Sequence, residues 1–112
     1  MTALPSCEEG VLVLQVAGEV DLVTVGQLRE YLYKHLPGTR RGVVLDFTEV
    51  SFLAACGIGL LLEIVDQALA EGMALRLVAQ NRVVLRALEA TRTNELVPLA
   101  ATVAEAVAQC ST

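Results

Sequence analysis

From Gly42 to Val78 the chain reads GVVLDFTEVSFLAACGIGLLLEIVDQALAEGMALRLV. The hydrophobic period changes twice along this stretch. Residues 43–47 (Val-Val-Leu-Asp-Phe) form a short run of β-branched and large apolar side chains, the pattern of a strand covered on both faces. From about Gly57 to Ala70, the side chains Ile58, Leu61, Leu62, Val65 and Leu69 recur at helical spacing and make one apolar stripe. Gly72 suits the left-handed stop that ends such a helix. Residues 74–78 then return to a strand pattern. Strand, helix and strand in so short a span make a right-handed crossover, which lays its two strands parallel in one sheet.

Working outward, the same alternation continues. Residues 11–16 (Val-Leu-Val-Leu-Gln-Val) read as another buried strand, with Glu8, Glu9 and Gly10 as the turn into it. Residues 4–7 suit an edge strand at most, because Pro5 cannot donate to a ladder. Gly18-Glu19-Val20-Asp21 reads as a turn, followed by a helix whose start carries a Thr24–Gln27 capping box. Val25, Leu28, Leu32 and Leu36 line its inner face, and Pro37, Gly38 and Thr39 end it.

Downstream, Asn81 caps a helix that turns Val84, Leu85 and Leu88 inward and Arg82, Arg86 and Glu89 outward. Residues 97–99 suit a short edge strand limited by Pro98. Thr102 and Glu105 form a second capping box, ahead of a helix with Val103, Val107 and Cys110 on one side. The expected fold is a single α/β domain over residues 1–112. Its sheet has four to five mostly parallel strands against about four helices, with the N-terminal strand alone antiparallel.

Composition narrows the function. The chain has 112 residues, 54% of them hydrophobic, enough for one core. A net charge of −5 argues against binding a phosphate backbone, so nucleic acid is not an expected partner. Residues 1–6 lack the basic start and apolar run of a signal peptide. The longest apolar stretch, residues 52–62, is too short to span a bilayer. A cytoplasmic protein with no direct membrane insertion is expected. Cys7, Cys56 and Cys110 include no Cys-x-x-Cys pair, which leaves three separate thiols, expected to be mostly buried, and no metal site.

Chemistry is sparse. His35, the single histidine, sits beside Lys34 at a helix end, where it suits the terminal carbonyls better than catalysis. Gly57-Ile58-Gly59 lacks the third glycine of a dinucleotide loop and the Gly-Lys-Ser/Thr of a P-loop. It suits close backbone approach at a strand-to-helix turn. No basic side chain stands in that loop to complement an anion. Asp46 and Glu49 flank a strand end with no sign of a substrate-facing pocket. No catalytic residue, cofactor or metal is assigned, and an enzyme is not expected.

Two segments carry a resemblance. Gly18-Glu19-Val20-Asp21 followed by Leu28-Arg29-Glu30 is similar to the Gly-Glu-hydrophobic-Asp turn and first helix of the STAS-domain anti-sigma-factor antagonists. Residues 43–62 resemble that family's buried strand, its Val-Ser/Thr-Phe/Tyr step, and the Asp-Ser-Ser/Thr-Gly-Leu-Gly that opens a helix. In that family the serine after the aspartate is phosphorylated by an anti-sigma factor with kinase activity. The unphosphorylated antagonist binds that partner and frees a sigma factor. The resemblance places Ala54 at the aspartate, Ala55 at the phosphoserine and Cys56 at the following Ser/Thr, with Gly57, Ile58 and Gly59 completing the motif. Ala55 has no hydroxyl, so the family position holds no phosphoacceptor.

The resemblance thus implies a transcription regulator that binds an anti-sigma factor or related kinase-like protein without being switched by phosphate. Its expected contact residues are Asp21, Leu22, Thr24, Ala54, Ala55, Cys56, Gly57 and Ile58. Helix capping is the simpler role for Thr24, and Asp21 divides between shaping the turn and touching the partner. A second reading makes the chain a STAS-type accessory subunit of a membrane transport complex, either of the ABC/lipid kind or for anions. Self-association is left open. Two roles also stand open for Cys56: a small side chain filling space under the loop, or a redox switch whose thiolate is favoured by the helix start.

Overall fold

The computed structural model describes residues 1–36 and 41–111. Two residues with positive φ, Glu9 and Gly10, make the tight hairpin between β1 (Thr2–Glu8) and β2 (Val11–Val20), the backbone twist that two-residue hairpins favour. β1 pairs antiparallel with β2, and every other pairing is parallel. After β2 come α1 (Val25–His35), β3 (Gly42–Leu53), α2 (Ala55–Ala70), β4 (Ala74–Val78) and α3 (Arg82–Ala90). A single 3-10 turn (Thr93–Glu95), β5 (Leu99–Ala100) and α4 (Val103–Cys110) complete the order. The five strands lie side by side in sequence order, as successive right-handed crossovers require.

The strands at the centre run further than their hydrophobic runs suggest. β2 continues through Gly18 to Val20, so those residues are strand and the turn begins at Asp21. β3 continues to Leu53 instead of ending near Phe47, so Asp46 and Glu49 lie inside the strand. The extension depends on two register shifts against β2, where β3 carries an extra residue each time. On β2 the inward side chains alternate regularly through Leu12, Leu14, Val16 and Val20. On β3 they run Val43, Leu45 and Phe47, then step by three to Val50 and Leu53. Each bulge moves the inward face by one residue and bends the strand. Asp46 supports the first bulge by accepting from the Thr48 N–H (3.0 Å) and hydroxyl.

One face of the sheet packs under α1, α2 and α3 in the larger core cluster, and α4 covers part of the other over Val11, Val13, Val44 and Val78. In α1, Leu28, Leu32 and Leu36 are buried, with Val25 packed beside them, as the stripe predicts. The expected α1 end at residues 37–39 lies outside the described residues. In α2 the buried set is Gly57, Ile58, Leu60, Leu61, Ile64 and Ala68. Leu62 and Val65 are half-buried, and Leu69 is 74% exposed, so the expected stripe is rotated. Gly72 has the left-handed φ expected of the stop.

Side-chain caps were expected at three helices and occur at one. Thr102 accepts from the Glu105 N–H at 3.1 Å. Asn81 stands at the α3 N-cap position but caps nothing; its amide donates to the Val50 carbonyl at 2.7 Å, tying α3 to β3. The Thr24–Gln27 box is also absent. Across the helix layer, Arg29 of α1 pairs with Glu63 of α2, which also accepts from the Tyr33 hydroxyl at 2.6 Å. These bonds hold the Glu63 carboxyl below its ordinary range. Their contribution is therefore present above that range and lost as pH falls through the lowered value.

Cysteine burial differs from expectation as well: Cys7 is exposed on the edge strand, Cys56 is half-buried and Cys110 is buried. Burial pushes the Cys110 thiol up in pKa. Cys110 packs where α4 closes on the start of β3: a Cβ added at Gly42 would stand 2.8 Å from the Cys110 Cβ and 2.9 Å from the Ala74 carbonyl oxygen. Neither atom is the end of a flexible chain. Gly42→Ala should therefore cost about 1–3 kcal/mol by overpacking, read as a lower urea midpoint at unchanged slope.

Candidate functional site

Two loops leave the sheet at the carboxyl ends of β2 and β3, the position at which parallel α/β sheets usually present ligand-facing groups. The last pairs of the ladder are Glu19 with Phe52 and Val20 with Leu53. The Ala54 N–H then donates to the Val20 carbonyl at 2.9 Å. The β2–α1 turn and the start of α2 are thereby held side by side.

The turn is built by its polar residues. The Asp21 Oδ1 accepts from the N–H groups of Val23 (2.9 Å) and Thr24 (3.1 Å). The Thr24 hydroxyl accepts from the Asp21 N–H at 3.0 Å and donates to the Glu19 carbonyl at 2.8 Å. An acid and a hydroxyl three residues apart thus close a loop upon itself. With Asp21 and Thr24 occupied in this way, Leu22 and Val23 are pushed out at the tip, 84% and 89% exposed.

α2 begins at Ala55, two residues ahead of the expected Gly57, and Ala54 in extended backbone is its N-cap. No side chain caps this end. Ala55 is exposed, Ala54 and Cys56 are half-buried, and Gly57 and Ile58 are buried. Gly57 is where the helix touches the sheet: a Cβ there would lie 2.7 Å from both Leu53 Cδ1 and Val20 Cγ1. The close approach expected of this glycine is what seats the helix mouth on the strand ends. The residues read from sequence therefore divide into an outward group (Leu22, Ala55 and parts of Ala54 and Cys56), a turn-building pair (Asp21 and Thr24) and a seating pair (Gly57 and Ile58).

Two further apolar side chains are exposed near these loops and are not among the residues read from the sequence: Val23 at the tip of the turn, and Phe52, half-exposed beside Glu19 at the end of the ladder. Val23 had a signal: two adjacent apolar residues in a turn between Asp21 and Thr24. Phe52 had none, because only the second bulge turns it outward. The surface is apolar at its centre, with Glu19 exposed at the adjoining end of β2 and Glu49 exposed further back along β3. It carries no hydroxyl at residues 54–56. Among the described residues no group of three or more acids, histidines or cysteines is placed to hold a metal, and no helix is long and apolar enough to cross a membrane.

The missing cap has a measurable consequence. Ala54→Asp puts a carboxylate at an N-cap with suitable backbone and should stabilise the fold by about 1 kcal/mol, read as a raised urea midpoint.

The sequence matches the STAS domain over residues 5–106. The chain belongs to the STAS domain family. Among curated proteins none matches significantly. Among solved structures, an anti-sigma factor antagonist from Mycobacterium paratuberculosis is 25% identical with a TM-score of 0.85, over 99% of this chain and 94% of that one. A putative anti-sigma factor antagonist from Thermotoga maritima superposes with a TM-score of 0.89 at 18% identity, over 98% and 95%. The Bacillus cell fate determinant SpoIIAA, solved in its phosphorylated form, gives 0.70 at 19%, over 96% and 98%. The latter two likenesses establish the fold alone. The STAS fold, with the two loops at its strand ends, is thus secure for this chain.

Proposed function

We propose that this STAS domain is a protein-binding regulator of the anti-sigma-factor antagonist kind, whose partner contact is not switched by phosphate. Its partner is an anti-sigma factor or a related kinase-like protein, met in the cytoplasm through Leu22, Ala54, Ala55 and Cys56, with Val23 and Phe52 added from the same surface. Asp21 and Thr24 shape the turn, and Gly57 and Ile58 seat the helix. In this reading the chain is a binding protein, without catalysis of its own.

The observation that carries the reading is Ala55: exposed at the first residue of α2, beside a turn that presents two apolar side chains, and without an oxygen. A phosphate at such a place brings about −1.5 to −2 charges to a contact surface. A methyl group brings none, and the contact stays available. Cys56 is half-buried next to Ala55 at the start of α2, and its role as a switch is tested by its rate with a thiol reagent at neutral pH. A rate no faster than that of an unfolded cysteine peptide leaves it a space-filling side chain.

Incubation with a kinase-type anti-sigma factor of the same organism and labelled ATP tests the phosphate claim. The native chain should take up no label, whereas Ala55→Ser should take it up at residue 55. Label on the native chain at a rate like that of the variant contradicts the reading. So does stable capture of a transporter ATPase in place of the kinase.

A further inference from the structure

A second surface lies at the other end of the sheet, where β4 begins. β5 pairs with β4 only at Leu77 and Val78, so among the described residues no strand lies beside residues 74–76 on that side. The Leu77 N–H donates to the Pro98 carbonyl at 2.8 Å. Peptide groups two residues apart on a strand point the same way, which turns the Leu75 N–H and C=O toward the open edge. A groove of about 280 Å³ runs along that edge between the end of α2 and the segment before β5. Its walls are apolar, among them Leu69, Met73, Leu75, Leu96 and Pro98, and Leu69 and Leu96 are 74% and 63% exposed.

Arg76 stands in the same groove. Its Nη1 donates to the Leu75 carbonyl at 2.8 Å and its Nε to the Gln109 side chain at 3.0 Å, both neutral acceptors. Among the described residues no carboxylate is within ion-pair distance of it. In a chain of net charge −5, this places a cation with neutral partners at the rim of an apolar groove and an open strand edge.

We propose that this groove takes a short extended segment of another protein, apolar on the side facing Leu69 and Leu96, and bearing a carboxylate that draws Arg76 off the Leu75 carbonyl. Three features converge on that chemistry. An open edge offers main-chain hydrogen bonds to an added strand. Apolar walls reward buried side chains. A guanidinium bonded to neutral acceptors gains an ion pair, with bidentate geometry open to it, when a carboxylate replaces one of them. The surface is separate from residues 54–58, so it stands or falls apart from the antagonist reading.

The test is selection of a random 12-residue peptide library, displayed on phage, against the full-length chain, followed by titration of the enriched peptides. Enriched peptides should share spaced apolar residues with an Asp, Glu or terminal carboxylate. Their affinity should fall at least tenfold with Arg76→Gln and with Leu69→Arg, while circular dichroism shows both variants folded. Hydrogen exchange at the Leu75 amide should slow on binding. No enrichment, peptides indifferent to both substitutions, binding that protects residues 22–58 instead, or a groove closed by a second copy of the chain would each overturn the proposal.

Discussion

Phe47→Ala is expected to destabilise the fold by about 3–5 kcal/mol. Phe47 is fully buried in the central strand, among the largest side chains of the core beneath α1, α2 and α3. It is also the last inward residue before β3 breaks its alternation. Removing the ring deletes the transfer energy of the side chain and leaves a cavity that strands paired on both sides cannot collapse into. A domain of this size has only about 5–15 kcal/mol in total, so the melting temperature should drop on the order of 15 °C. A loss below about 1 kcal/mol in urea unfolding would mean that Phe47 is not the centre of the packing described here.

Leu22→Asp is expected to do the reverse, leaving the fold intact and removing function. Leu22 is 84% exposed at the tip of a turn closed by Asp21 and Thr24. Its replacement should change stability by no more than about 0.5 kcal/mol. If the tip is buried against a partner, a carboxylate there is stripped of water without compensation, and affinity should fall about 30-fold or more. Asp21→Ala should weaken binding in another way, by loosening the turn that presents Leu22 and Val23. Its amide exchange at Val23 and Thr24 should quicken, whereas Leu22→Asp should leave that exchange unchanged. Equal binding by native chain and Leu22→Asp would remove this turn from the contact.

The element order was legible because each apolar run keeps one period, 2 or 3.6, long enough to be read. Residues 74–78 fall on a strand with those bounds, and Gly72 ends α2 as its position suggests. The limits of β2 and β3 were not legible. After Phe47 the inward residues step by three at each bulge, which no local pattern announces, so the sequence pattern reads Gly18 to Val20 as a turn and ends β3 at Phe47. The start of α2 was misplaced for a related reason: Ala54, Ala55 and Cys56 include no capping side chain to mark it. At Thr24 and Asn81 a local rule lost to other partners, the Glu19 and Val50 carbonyls, and the latter lies 31 positions away in sequence. Leu69 keeps the helical spacing but lines the groove beside β4, where it stays largely exposed.

The site was legible in part. The two segments that resemble the STAS antagonists meet at the ends of β2 and β3, and Ala55 is exposed there. What the sequence did not supply was the division of labour. Asp21 and Thr24 face each other and build the turn, Gly57 and Ile58 go inward, and Val23 and Phe52 come out. Such distinctions depend on which way a side chain points, and that was set by a turn and a bulge.

The claim that decides this account is a partner contact insensitive to phosphate, and calorimetric titration against a kinase-type anti-sigma factor of the same organism tests it most directly. The native chain should bind with the same affinity whether or not the kinase is supplied with hydrolysable ATP, while Ala55→Ser should bind without turnover and be released once ATP is hydrolysed. Release of the native chain by ATP turnover, or no binding under either condition, would contradict it.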